Sequence, residues 1–342
     1  MVILKEWGFN DSLSAYAEEH FSEEFSVGRV IAEQKDRYTL IISSGQIEAE
    51  VTGNLRFSVQ SKSDFPVVGD WVVLMLFEDF GIIHEIIPRL TLLERKSVGK
   101  KTETQPIASN VDVAFVVMSM TEDFNLNRLD RYLTIIHESK IRPIILLSKM
   151  DLVPPDEIEE KVHLVTTRTS ATTIAIDNLA ESGYDKLKPY IIPGETYCVI
   201  GSSGVGKTTL INHLANRQAE TKNLSESTHK GMHTTTSREL VQIQNGGLLI
   251  DTPGMREIGI GGSAVGLSMA FSDITELAQS CKFADCTHFD EPGCAVSKAI
   301  QSGTLDPEVF DNFLKLEKES AHFQTTLVEK RKKDKAMGKM YN

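Results

Sequence analysis

Eight consecutive residues, Gly201-Ser202-Ser203-Gly204-Val205-Gly206-Lys207-Thr208, constrain this chain more than any other stretch. They satisfy G-x-x-x-x-G-K-[ST], with a β-branched apolar run at 196–200 before them and a helix-compatible stretch at 209–215 after them. Strand, glycine-rich turn and helix in that order surround one anion with backbone N–H groups and a helix N-terminus. The glycines allow backbone angles that other residues resist, so the amides from Gly201 to Gly206 turn inward around a β-phosphate. Lys207 then reaches the β- and γ-phosphates, and the Thr208 hydroxyl ligates Mg²⁺, with Thr209 counted among the phosphate-binding residues. The segment implies a nucleoside triphosphate and a parallel sheet to carry it.

The sheet is legible from residue 110 onward, where strand and helix patterns alternate. Residues 111–119 form a continuous apolar run suited to a strand buried on both faces. Leu126, Leu129, Leu133 and Ile136 follow at helical spacing. The next strand, 143–147, runs into Ser148-Lys149-Met150-Asp151, which resembles the guanine-reading N-K-x-D. A carboxylate at Asp151 accepts from guanine N1–H and the exocyclic amine, a donor pair that adenine lacks. The stem of Lys149 lies along the base. Ser148 departs from the pattern, with a hydroxyl where an amide is usual. A further strand at 172–176 is bracketed by two candidates for the loop that touches the guanine oxygen. Ser170-Ala171 has the composition but comes early, whereas Asp177-Asn178 has the place without the composition.

After the phosphate loop, residues 216–237 are polar and contain Gly231-Met232-His233-Thr234-Thr235-Thr236. A threonine among 234–236 is expected to close onto Mg²⁺ when a γ-phosphate is present. The strand at 248–250 ends in Asp251-Thr252-Pro253-Gly254, a D-x-x-G in which Asp251 holds Mg²⁺ through water and the Gly254 N–H senses the γ-phosphate.

Ahead of this region, 27–33, 37–43, 46–52, 70–76 and 81–87 read as five short strands separated by polar turns. Five strands in so short a span fit a small barrel of the OB type, serving either to bind RNA or as a spacer or lid. Residues 1–24 read as an acidic, partly helical leader. The N-terminus lacks the pattern of a signal peptide, and no apolar run approaches the ~20 residues of a membrane span. A soluble, cytoplasmic protein with no membrane partner is therefore expected. The formal net charge of −12 argues against nonspecific coating of nucleic acid, although it leaves room for local basic patches.

Of four cysteines, three fall in Cys281-x₄-Cys286-x-His288-x₅-Cys294. Three thiolates and an imidazole at this spacing surround a tetrahedral Zn²⁺, and a filled Cys₃His shell is structural. Cys198, on the strand before the phosphate loop, reads as a core residue. The chain ends in a helical stretch after Pro307 and the basic run Lys330-Arg331-Lys332-Lys333-Asp334-Lys335, either an RNA phosphate contact or a solvated tail.

The base-reading motif precedes the phosphate loop, the reverse of the usual order, so the α/β domain reads as circularly permuted. The segment after Gly254 then leaves for the C-terminal region, giving nucleotide state a direct route there. Barrel, permuted GTPase and knuckle together resemble the small-ribosomal-subunit biogenesis GTPases of the RsgA family. The resemblance covers about 27–300 and includes Asn110-Val111-Asp112, Asp130-Arg131-Tyr132-Leu133 and Glu291-Pro292-Gly293-Cys294. It implies a GTPase that binds the small subunit and 16S rRNA late in maturation, is stimulated by it and departs after hydrolysis to GDP and phosphate, as a monomer. It also implies that His233 assists hydrolysis together with Lys207 and Thr235, since Met255 stands where Ras-like enzymes carry a water-orienting glutamine. Met232 replaces the arginine usual in the family.

The expected architecture is a leader (1–24), an OB-like barrel (25–95), a permuted α/β P-loop GTPase (105–262) and a mostly helical zinc-binding domain (263–342). Zn²⁺ and Mg²⁺ with GTP are the expected cofactors. A nucleotide-gated RNA-binding protein with little turnover and a non-ribosomal P-loop ATPase are the competing readings.

Overall fold

The computed structural model describes residues 4–34, 37–58, 61–96, 104–177, 180–216, 238–251, 264–289 and 291–338. By contact density the chain divides into two units. One comprises 1–94, 105–124 and 140–257, and the other 95–104, 125–139 and 258–342.

In the first unit, strands β1 (Ser26–Gln34), β2 (Arg37–Ile42), β3 (Gly45–Val51), β4 (Trp71–Phe77) and β5 (Phe80–Ile86) form a barrel. Its order is β1-β2-β3-β5-β4, closing where β4 pairs with β1, and only the β3–β5 pairing is parallel. Helices α1 (Asp11–His20) and α2 (Gly53–Ser58) lie before β1 and between β3 and β4. Alternation along a strand sends successive side chains to opposite faces. Val72 and Leu74 of β4 accordingly join the barrel core with Val30, Leu40, Ile47 and Ile83. Trp71 and Val73 face outward and are covered by the leader through Leu13, Trp7, Phe9 and Tyr16. This double burial explains why β4 reads as an unbroken apolar run.

Strands β6 (Leu92–Lys96) and β7 (Thr104–Ser109) form a two-stranded ribbon between barrel and α/β region. The sheet proper contains β8 (Val113–Ser119), β9 (Arg142–Ser148), β10 (Thr172–Ala175), β11 (Thr196–Ile200), β12 (Glu239–Gln242) and β13 (Leu248–Asp251). Strands β10, β9, β8, β11 and β13 run parallel in that order, and every residue of β8 is buried. β12 adds antiparallel to β13 and continues into the barrel through a single Ala32–Glu239 pair with β1. Helices α4 (Pro155–Arg168), α5 (Glu181–Asp185) and α6 (Lys207–Leu214) complete the unit.

The seam between barrel and sheet is polar and built from the Asn110-Val111-Asp112 segment. Asn110 accepts from the Leu90 N–H at 3.0 Å and donates to the Gly69 carbonyl at 3.1 Å, while the Asp112 carboxylate accepts from the Thr196 N–H at 2.7 Å. Gly69 sits at φ +100°, and a Cβ there would lie 2.1 Å from the Ser109 carbonyl oxygen, so only glycine fits. Arg29 of β1 is buried at the centre. Its guanidinium donates to the Thr196 hydroxyl at 2.8 Å, to the Gly69 and Asn110 carbonyls at 3.3 Å and to the Trp7 carbonyl. Burial lowers its pKa to about 10, still far enough above neutral pH to leave it charged.

The second unit is helical: α3 (Leu126–Glu138), α7 (Ala264–Ala270), α8 (Ser272–Gln279), α9 (Ala295–Gln301) and α10 (Pro307–Gly338). Helix α3 buries Leu129, Leu133 and Ile136, as its spacing requires. It meets α7 at Gly266, where a Cβ would come within 2.3 Å of the Thr134 carbonyl oxygen. The Asp130-Arg131 pair anchors α10. Arg131 makes a forked pair with Glu319 at 2.9 and 2.8 Å, and the Asn312 amide donates to the buried Asp130 carboxylate at 2.8 Å.

Candidate nucleotide site and metal cluster

Ligands of open parallel sheets sit beyond the carboxyl ends of the strands. At that edge β11 delivers the phosphate loop, β9 delivers Ser148-Lys149-Met150-Asp151, and β13 ends in Asp251. β10 delivers Asp177, whose carboxylate accepts from the Ala180 N–H at 3.2 Å. Ser170-Ala171 precedes β10 and so lies at the opposite end of the sheet from Ser148-Lys149-Met150-Asp151, whereas Asp177 lies at the same end.

The phosphate loop needs its glycines for identifiable reasons. A Cβ on Gly201 would fall 2.3 Å from the Val117 carbonyl oxygen, while Gly204 and Gly206 occupy φ +81° and +97°. Val205 is buried in the sheet core, whereas Ser203, Thr208 and Thr209 are exposed. The Lys207 ammonium closes over the loop, donating to the Gly201 carbonyl at 2.7 Å and to that of Ser202.

The base-reading segment is joined to this loop. Ser148 is fully buried and its hydroxyl donates to the Val205 carbonyl at 2.7 Å. Lys149 takes a left-handed conformation at φ 61°, sparsely populated by non-glycine residues, and opens a short 3₁₀ turn at Met150 that leaves Asp151 exposed. The Met150 N–H donates to the Ile176 carbonyl at 3.4 Å, tying this turn to the end of β10.

Met232, His233, Thr234, Thr235, Thr236, Thr252, Pro253, Gly254 and Met255 lie outside the described residues, as does Asn178. Glu239, first residue of β12, pairs across the sheet with Asp251, last residue of β13.

In the second unit the ligand atoms of Cys281, Cys286, His288 and Cys294 all lie within 4.8 Å of one another. His288 Nδ1 is 3.6 Å from the sulfurs of both Cys281 and Cys294, which are 3.9 Å apart. A tetrahedron with metal–sulfur bonds of about 2.3 Å has edges of about 3.8 Å, so these spacings fit one metal ion. Backbone N–H groups of Ala295 and Ser297 donate to the Cys281 and Cys294 sulfurs at 3.4 and 3.3 Å, the usual outer support of a thiolate site. Burial pushes the Cys294 thiol up, but the Ser297 N–H and the His288 contact outweigh it and bring its pKa down to about 6. Glu291 folds the knuckle, accepting from the Thr287 and Phe289 N–H groups at 2.9 and 3.1 Å and from the Thr287 hydroxyl.

Residues 86–261 match the family described as RsgA GTPase. The small ribosomal subunit biogenesis GTPase RsgA 1 of Bacteroides thetaiotaomicron is 37% identical over 337 residues, covering 98% of this chain and 94% of its own. The chain belongs to the RsgA GTPase family. RsgA 2 of Vibrio parahaemolyticus is 41% identical over 314 residues, covering 91% of this chain and 84% of its own. Among solved structures, YloQ, described as a circularly permuted GTPase, aligns with a TM-score of 0.65 at 26% identity, covering 89% of this chain and 97% of its own. YjeQ from Thermotoga maritima shares the fold with the same TM-score at 24% identity, covering 87% of this chain and 99% of its own.

This RsgA-family GTPase contains two site features that motif reading does not reach. The Ser148–Val205 bond gives the unusual serine a role at the phosphate loop, and Asp123, in the motif-free turn after β8, accepts a hydrogen bond from Ser202. Neither has a sequence signature, because each depends on strands brought near one another only in the folded sheet.

Proposed function

We propose that this chain hydrolyses GTP to GDP and phosphate on the small ribosomal subunit late in its assembly, with turnover stimulated by that subunit. The observation that carries the reading is the convergence, at one sheet edge, of a phosphate loop and a base-reading turn tied together by Ser148. The names of the curated relatives, small ribosomal subunit biogenesis GTPases, supply the partner.

Gly201 to Gly206 and Lys207 hold the phosphates, and Asp151 with Lys149 selects guanine. Thr208, Asp251 and a threonine among Thr234–Thr236 hold Mg²⁺, which supplies charge neutralisation on the β- and γ-phosphate oxygens. Thr209 borders the same phosphates, Gly254 senses the γ-phosphate, and His233 positions water with Thr235. Cys281, Cys286, His288 and Cys294 hold one structural Zn²⁺, the metal that a closed Cys₃His shell favours. Barrel and knuckle contact 16S rRNA, and the protein works as a cytoplasmic monomer. Among the described residues no helix is long and apolar enough to cross a membrane.

The test is GTP and ATP hydrolysis with and without purified small subunits, using Lys207→Ala as the blank. Stimulation confined to GTP supports the proposal. GTP bound but left intact in the presence of subunits would replace it with a gated RNA-binding module, and preferred turnover of ATP would replace it with an ATPase.

A further inference from the structure

The turn after β8 carries none of the recognised nucleotide motifs, yet it lies between two that do. Ser148 at the end of β9 bonds the Val205 carbonyl and, at 3.4 Å, the Met118 carbonyl of β8. From there the chain turns through Ser119, Thr121 and Phe124. The Ser119 and Thr121 hydroxyls are 2.7 Å apart, the Thr121 N–H donates to Ser119 Oγ at 3.2 Å, and the Phe124 N–H donates to the Thr121 carbonyl at 2.9 Å. The Lys161 ammonium of α4 lies 5.9 Å from the centre of the Phe124 ring, so the helix that follows the base-reading turn also covers this one. The turn is therefore held at three points and presents Asp123 to the phosphate loop, where its carboxylate accepts from the Ser202 hydroxyl.

Ser202 has a second link. Its carbonyl, with that of Gly201, accepts from the Lys207 ammonium. A chain of contacts thus runs from the Asp123 carboxylate through the hydroxyl and the carbonyl of Ser202 to the Lys207 ammonium. We infer that Asp123 is a positioning residue for the nucleotide phosphates, fixing the first half of the phosphate loop through Ser202 and offsetting part of the Lys207 charge. This rests on the assignment of residues 201–208 as the phosphate site. The hydrogen bond holds the Ser202 carbonyl where Lys207 can reach it, which favours binding. The negative charge works the other way, because an anion beside an anion site weakens attraction for phosphate. The two effects separate by substitution. Asn keeps the acceptor and removes the charge, whereas Ala removes both.

The experiment measures KM, kcat and the GDP release rate of the full chain for wild type, Asp123→Asn, Asp123→Ala, Ser202→Ala and the double alanine variant. Asp123→Ala and Ser202→Ala are each expected to raise KM for GTP about three- to tenfold with a smaller change in kcat. The double variant is expected to match Asp123→Ala, because with the carboxylate gone the Ser202 hydroxyl has lost that partner already. Asp123→Asn is expected to keep KM at or below the wild-type value and to release GDP more slowly than wild type. Additive effects in the double variant, or KM and GDP release unchanged in Asp123→Ala and Ser202→Ala, would overturn the inference. Should Asp123→Ala fail to fold, Ser202→Ala and Asp123→Asn still decide it. A wild-type chain that binds no GTP would overturn the phosphate-site assignment and the inference together, whereas normal wild-type binding with indifferent variants overturns the inference alone.

Discussion

The Ser148 hydroxyl donates a 2.7 Å hydrogen bond to the Val205 carbonyl, joining the turn at 148–151 to the glycine-rich loop at 201–208. Both groups are buried, so no water replaces the bond if it is lost. Ser148→Ala is expected to cost about 1–3 kcal/mol of stability and to weaken GTP and GDP binding together, leaving guanine selectivity intact. Titration with guanine and adenine nucleotides checks this. A loss of selectivity with affinity unchanged would assign Ser148 to the base instead of the loop.

Asp151 tests the base itself. Replacing its carboxylate by an amide in Asp151→Asn removes an acceptor pair for guanine and offers a donor to the xanthine 2-oxygen. GTP affinity is expected to fall more than about tenfold while xanthosine triphosphate gains. Competition between the two nucleotides reads the outcome, and unchanged preference would remove Asp151 from the site.

The knuckle makes a prediction about metal. Cys286→Ala leaves three of four ligands and is expected to lose the bound ion, because binding and local folding are coupled in such sites. Metal analysis of the purified variant is the direct check, with increased protease sensitivity of the C-terminal segment as its companion. Full metal content in Cys286→Ala would overturn the ligand set.

Arg29 makes a prediction about the seam. Its fully buried guanidinium serves three carbonyls and a hydroxyl, so Arg29→Met keeps much of the volume and takes the donor from the Trp7 and Asn110 carbonyls and the Thr196 hydroxyl, while the Gly69 carbonyl keeps the Asn110 amide. A loss of about 3 kcal/mol is expected, lowering the melting temperature of the first unit by roughly 6–12 °C. Calorimetry measures it, and a shift under a degree would mean that water replaces the guanidinium.

Much of this was legible because period-2 and buried-run patterns survive in the sequence. All five barrel strands were expected within about a residue or two of where they lie, the Cys/His cluster was read from spacing, and Ser148-Lys149-Met150-Asp151 was read from its place at a strand end. What escaped depends on contacts remote in sequence. Trp7, Phe9 and Tyr16 follow no helical period because they are spaced to meet Trp71 and Val73 on the barrel's outer face. Ser170-Ala171 and Asp177 could not be ranked until β10 was placed parallel to β9, which puts one at each end of the sheet. The Asp130-Arg131 pair was recognisable as a family signature, but its work, gripping Asn312 and Glu319, requires a helix that begins well over 150 residues later.

The single Ala32–Glu239 pair that continues the barrel into the nucleotide sheet has a consequence for biosynthesis. At elongation rates of about 5–20 residues per second, Glu239 is made between about ten and forty seconds after Ala32. During that interval the far half of β1 presents a strand edge with its eventual partner still unmade, and edges of that kind recruit other strands. The last stretch of the barrel's first strand is therefore completed only after the phosphate loop has been translated, so the newborn chain must guard one end of its earliest domain until the nucleotide sheet arrives.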